Sequence, residues 1–102
     1  MATIEIERRS SLDHRTLLAN AAAIAEKIAA EYGIQWRWDA MSTAACVIVF
    51  DTPSGLAKGT KGSLSVCSDG LVRIRIELPM MLWGAKSKIE KTVAEYMDGL
   101  VA

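Results

Sequence analysis

The sequence predicts an α+β fold: a curved antiparallel sheet of about five strands with two helices packed on one face, in the order β-α-β-β-β-β-α. Three observations carry this. Apolar and polar residues alternate with period two near the start of the chain and in several runs between residues 34 and 78, as half-buried strands require. An alanine-rich stretch repeats apolar residues at three- and four-residue spacing, as an amphipathic helix does. Asp69-Gly70 separates two alternating runs, and so short a connection can only join antiparallel strands.

Taken in order, Thr3–Arg9 points Ile4 and Ile6 one way and Glu5 and Glu7 the other. Ser10–Gly33 is the helical stretch. Ser10, Ser11 or Asp13 can cap its start, Leu17, Ala21, Ile24 and Ile28 form the apolar stripe, and Gly33 suits the C-terminal cap. Ile34–Asp39 alternates again, with Ile34, Trp36 and Trp38 opposed to Gln35, Arg37 and Asp39. Ala44–Phe50 is a continuous apolar run, the pattern of a central strand or one covered on both faces. Asp51-Thr-Pro-Ser-Gly55 is turn chemistry, and Gly59, Lys61 and Gly62 extend the connection. Ser63–Ser68 alternates, then Leu71–Leu78 does so most cleanly: Val72, Ile74, Ile76 and Leu78 on one side, Arg73, Arg75 and Glu77 on the other. Pro79 opens the last element, whose helical stripe is Ile89, Val93, Tyr96, Met97 and Leu100. No repeat or long linker divides the chain, so residues 1–102 read as one domain.

Composition removes several classes of function. The 102 residues are 51% hydrophobic and 24% charged, which is a foldable composition. Twelve Lys+Arg balance 12 Asp+Glu, so no concentrated positive field points to nucleic acid. The same neutrality gives little self-repulsion and leaves a homodimer or another partner open. No apolar run approaches a membrane span, the start does not read as a signal peptide, and two cysteines read as reduced thiols.

Catalytic and metal constellations are not apparent. His14 is the only histidine and reads as a surface residue in the first turn of a helix. Cys46 and Cys67 read as small strand hydrophobes, and three Cys/His residues do not make up a metal site without carboxylates. Gly55, Gly59 and Gly62 near Lys58 and Lys61 lack the phosphate-loop pattern, and a strand follows them where such a loop needs a helix. No catalytic residue, cofactor or metal is therefore expected, and the expectation is a protein that is not an enzyme.

Two surfaces stand out. Arg37, Arg73 and Arg75 share the polar sheet face and form a candidate anion patch, although Glu5, Glu7 and Glu77 alternate with them and favour a solvated face of ion pairs. Met80, Met81, Leu82 and Trp83 precede the final helix, followed by Lys86, Lys88 and Lys91 in its first half, against the helix dipole. Together with Val47 and Val49, which project from the outer sheet face, Met80–Trp83 and Lys86 form the candidate surface for an apolar, weakly anionic partner. The alternative for Met80–Trp83 is that these side chains close the open end of the core.

Ile4-Glu-Ile-Glu-Arg-Arg9, Ala25-Glu-Lys-Ile-Ala-Ala-Glu-Tyr-Gly-Ile34 running into Trp36-Arg-Trp38, and Lys86-Ser-Lys-Ile-Glu-Lys91 with Glu95-Tyr-Met-Asp98 resemble the polyhydroxyalkanoic acid system family. These are small bacterial proteins encoded beside polyhydroxyalkanoate synthesis and granule genes. The resemblance implies a cytoplasmic accessory protein of storage granules, whose partners are the granule surface or its coat proteins. It carries over no catalytic residue. The chain departs from the family pattern in having Val47 and Val49 where the strand normally carries charges, and in a long Thr52–Gly62 connection. The alternative function is a small binder of an acyl or other apolar ligand, held between sheet and C-terminal helix by Trp36, Trp38, Phe50 and Met97.

Overall fold

Alternation fixes which side of each strand meets the helices. In the computed structural model, which describes residues 2–42, 44–53 and 58–102, β1 (Ala2–Arg9) leads through α1 (His14–Tyr32) to β2 (Gln35–Met41). There follow β3 (Ala45–Asp51), β4 (Lys61–Cys67), β5 (Leu71–Leu78), a 3-10 helix (Met80–Ala85) and α2 (Lys86–Val101). The sheet order is β1-β5-β4-β3-β2, every neighbouring pair antiparallel. The chain starts on one edge, crosses to the other through α1, and meanders back until β5 pairs with β1. The turn read at Ser54 and Gly55 lies outside the described residues.

Both helices cover one face. Ile4, Ile6, Ile48, Leu64, Val66, Val72, Ile74, Ile76 and Leu78 meet Leu17 and Ala21 of α1 and Met97 and Leu100 of α2 in a single buried cluster. The helices are tied to each other by the Tyr96 hydroxyl, which donates to the Glu31 carboxylate at 3.2 Å, with the Lys27 ammonium 5.7 Å from the ring centre. Burial and then the Glu31 bond raise the Tyr96 pKa above its ordinary value. Asn20 donates to the Leu100 carbonyl at 3.0 Å, satisfying an acceptor that the end of α2 leaves open.

Four boundaries differ from the sequence reading by more than one residue. The helix begins at His14, not in the Ser10–Leu12 stretch, because Asp13 is the cap: its carboxylate accepts from the backbone N–H and hydroxyl of Thr16. Ser10 instead donates to the Val101 carbonyl at 2.8 Å and accepts from Leu12 N–H, joining the end of β1 to the end of α2. β2 continues past Asp39 to Met41 through a bulge between Trp38 and Ala40. β4 starts at Lys61, two residues before the alternation becomes visible, because Gly62 carries no side chain to mark a face. The element after Pro79 divides into the 3-10 helix and α2.

The cap has a testable pH signature. Hydrogen bonds from Thr16 lower the Asp13 pKa. A lowered folded-state pKa contributes stability that is present at neutral pH and lost as pH falls through that pKa. Asp13→Ala is expected to lower the melting temperature at pH 7, and the gap should close at acid pH. A pH series of thermal melts checks this, and a gap that stays constant to low pH would refute the assignment.

Candidate functional site

The helices leave the other sheet face uncovered, and the strand register arranges its side chains in rows. One row reads Arg37, Val49, Ser63, Arg75, Glu5 from β2 to β1. The next contains Val47, Ser65, Arg73 and Glu7, and a third Gln35, Asp51, Lys61 and Glu77. Val47 and Val49 are half-buried between these polar neighbours.

Each arginine of the candidate anion patch meets a carboxylate. Arg73 holds Glu7 through two nitrogens, at 2.7 and 2.6 Å. Arg37 pairs with Asp39 at 3.0 Å and Arg75 more loosely with Glu5 at 3.8 Å. Arg37 stands on β2 with β3 and β4 between it and the other two, so the three guanidiniums do not converge. An open groove does cross this face, lined by Arg37, Val49, Lys61, Ser63 and Arg75 together with Asp51 and Glu77. Lys61 lies between those two acids in the register and pairs with Glu77 at 3.8 Å. Charges alternate across the groove in place of a concentrated positive field, which is the arrangement of a solvated, ion-paired face.

The segment after β5 is different. Met80 is 73% exposed, Met81 78% and Trp83 42%, while Leu82 turns inward against the core. Pro79 is extended, and its carbonyl accepts from Leu82 N–H at 2.9 Å, closing the first turn. The Trp83 indole N–H donates to the Leu78 carbonyl at 3.2 Å, fixing the ring against the end of β5. The exposed methionines thus stand on a turn anchored on both sides. α2 then begins with no side-chain cap and no acidic residue in its first turn, and with Lys86, Lys88 and Lys91 in its first half. Lys86 is half-buried; Lys88 and Lys91 are exposed.

The structure also joins two residues that the sequence reading kept apart. His14, expected at the surface, is half-buried, and its Nε2 lies 3.8 Å from the Cys46 sulfur. Nothing in the sequence signals this contact, which links the start of α1 to β3. The Cys46 thiol is 3% exposed and also donates to the Ser42 carbonyl at 3.7 Å. His14 Nδ1 is buried without a partner among the described residues, so no carboxylate orients the ring there. A nucleophile needs access and an oriented base, and this pair has neither, so it serves packing between helix and sheet. Cys67 projects from the opposite side of β4 and is also a free thiol.

The residues read as a ligand cavity divide. Trp36 and Trp38 stack edge to face, with centres 6.3 Å apart, and are half-buried on edge strand β2. Met97 is 2% exposed and belongs to the core cluster, against which Trp36, Trp38 and Phe50 pack. Among the described residues no group of three or more His, Cys, Asp or Glu could hold a metal ion, and no helix is long and apolar enough to cross a membrane.

A comparison with curated proteins gives no match. Against known families, residues 4–101 match the polyhydroxyalkanoic acid system proteins, a match that takes in both helices and every strand apart from the first two residues of β1. With nearly its whole length so matched, the chain belongs to the polyhydroxyalkanoic acid system protein family.

Proposed function

We propose that the protein is a non-enzymatic accessory protein that docks on polyhydroxyalkanoate granules, or on the proteins that coat them, within the cytoplasm. The observation that carries this reading is the exposure of Met80, Met81 and Trp83 together on one anchored turn. Isolated exposed apolar residues are ordinary, but three large ones in four positions form a patch that a partner surface would cover. Each such side chain gains about 1.5–3 kcal/mol when it leaves water completely. The family supplies the context of a storage polyester, whose surface is apolar. Val47 and Val49, on the uncovered sheet face, offer a second surface for a coat protein or another copy of the chain.

Co-sedimentation with granules isolated on a density gradient, with and without their major coat proteins, tests the reading. Met81→Ala combined with Trp83→Ala is expected to lower the granule-bound fraction by about tenfold or more, from the lost burial of two large side chains. Circular dichroism should show the fold retained, because neither side chain belongs to the buried core cluster. Undiminished co-sedimentation of a folded double variant would remove Met80–Trp83 as the docking surface.

A further inference from the structure

The lysines beside the exposed turn do not serve the helix they stand on. The N-terminal end of an α-helix carries partial positive charge, so cations there are unfavourable and acids favourable. In α2 the cations cluster at the wrong end: Lys86, Lys88 and Lys91 occupy the first half, with Glu90 among them, and Glu95 and Asp98 the second. The first turn contains no acid, and Ala85 supplies no capping side chain. Lys88 and Lys91 are exposed and lie three residues apart on one side of the helix, with none of the described acids in an ion pair with them. On the sheet face, by contrast, Arg37, Arg73, Arg75 and Lys61 each meet a carboxylate. Exposed lysines without an ion-pair partner, on the first half of a helix whose first turn holds no acid, point to a partner that neutralises them.

That partner must also accept Met80, Met81 and Trp83, the exposed apolar side chains directly before the lysines. Methionine and tryptophan flanked by lysine ammonium groups match an interface whose interior is apolar and whose headgroups are anionic. The indole suits the boundary itself, since its ring is apolar while its N–H is already satisfied by Leu78. We propose that Met80–Trp83 and the lysines of α2 bind an anionic lipid surface: the apolar side chains enter the acyl region and Lys88 and Lys91 meet the headgroups. The inference rests on the docking reading above and names the chemistry of the surface. Bare polyester offers the apolar part without the charge, and a coat protein would be recognised by shape.

The test is sedimentation of the full chain with phosphatidylcholine vesicles, alone or mixed with phosphatidylglycerol. Binding is expected only to the mixed vesicles and should weaken with added salt. A lysine near an anionic surface contributes about 1 kcal/mol, so Lys88→Glu, a change of two charges, should weaken binding by about thirtyfold. The same substitution places an acid near the positive end of α2 and three residues before Lys91. Its melting temperature should therefore stay level or rise, so lost binding could not be ascribed to unfolding. Equal binding to both vesicle types, no binding to either, or unchanged binding by Lys88→Glu would overturn the proposal. Granule association that depends on Met81 and Trp83 but comes without vesicle binding would leave the docking reading standing and remove the lipid. Vesicle binding without granule association would do the reverse.

Discussion

Replacing Gly62 with alanine is expected to destabilise the protein by about 1–3 kcal/mol or more, the range for forcing extra volume into a packed interior. Gly62 stands on β4, with Phe50 opposite it on β3 and Ile76 on β5. A Cβ there would overlap the Arg75 carbonyl oxygen and meet the Phe50 ring at 2.9 Å. The ring can rotate away, but the carbonyl belongs to the backbone of a strand held on both sides. Relief therefore requires moving β4 against β5, which strains the ladder that carries Leu64 and Val66. For a domain of this length each kcal/mol moves the melting temperature by about 4–8 °C. Thermal melts followed by circular dichroism give the answer, and Gly99→Ala is the control. Gly99 is exposed in α2 with nothing within 4 Å of the new Cβ, so alanine should stabilise there by about 0.5–1 kcal/mol. A Gly62→Ala protein that melts with the wild type would mean that β5 yields at no cost.

Leu17→Ala should cost about 2–5 kcal/mol, from lost burial plus the cavity left behind. Leu17 is fully buried and, with Ala21 one turn later, is the part of α1 that enters the shared core. The neighbouring Leu18 is only half-buried and should cost less. Because domains of this kind are stable by only about 5–15 kcal/mol, the Leu17 variant should unfold at markedly lower denaturant concentration. Urea titrations of the two variants separate the cases; equal midpoints would show that α1 does not lean on the sheet through Leu17.

The strands were legible because one face of each is apolar. Val72, Ile74, Ile76 and Leu78 alternate in sequence and are all buried, and Asp69-Gly70 turns the chain with Gly70 at φ +92°. α1 was legible from its stripe, though its first residue was not, since three capping residues compete within Ser10–Asp13 and only tertiary contacts take Ser10 away to Val101. The strand order is a matter of partner choice, which alternation alone does not encode. For the same reason the contact between His14 and Cys46 carries no sequence signal: neither has a motif, and 32 positions separate them. The difference between Arg73 and Arg75 is likewise geometric, one holding its glutamate at 2.6 Å and the other at 3.8 Å. The lysine order in α2 was visible from the start because it violates a local rule, whereas the exposure of Met80 and Met81 depends on how the 3-10 turn is anchored.

The crossing made by α1 has a consequence for how the chain is made. Ala2 pairs with Leu78 and Arg9 with Leu71, so the first strand to leave the ribosome finds its partner only after most of the remaining chain has followed. The meander from β2 to β5 closes through nearest neighbours and carries the fast, local part of folding. β1 is the late arrival despite being synthesised first, and the loop it closes costs the most chain entropy. Until it docks, β5 has an open edge of unpaired backbone groups. The nascent chain is therefore most vulnerable to mispairing in the interval before Ala2–Arg9 returns to the sheet.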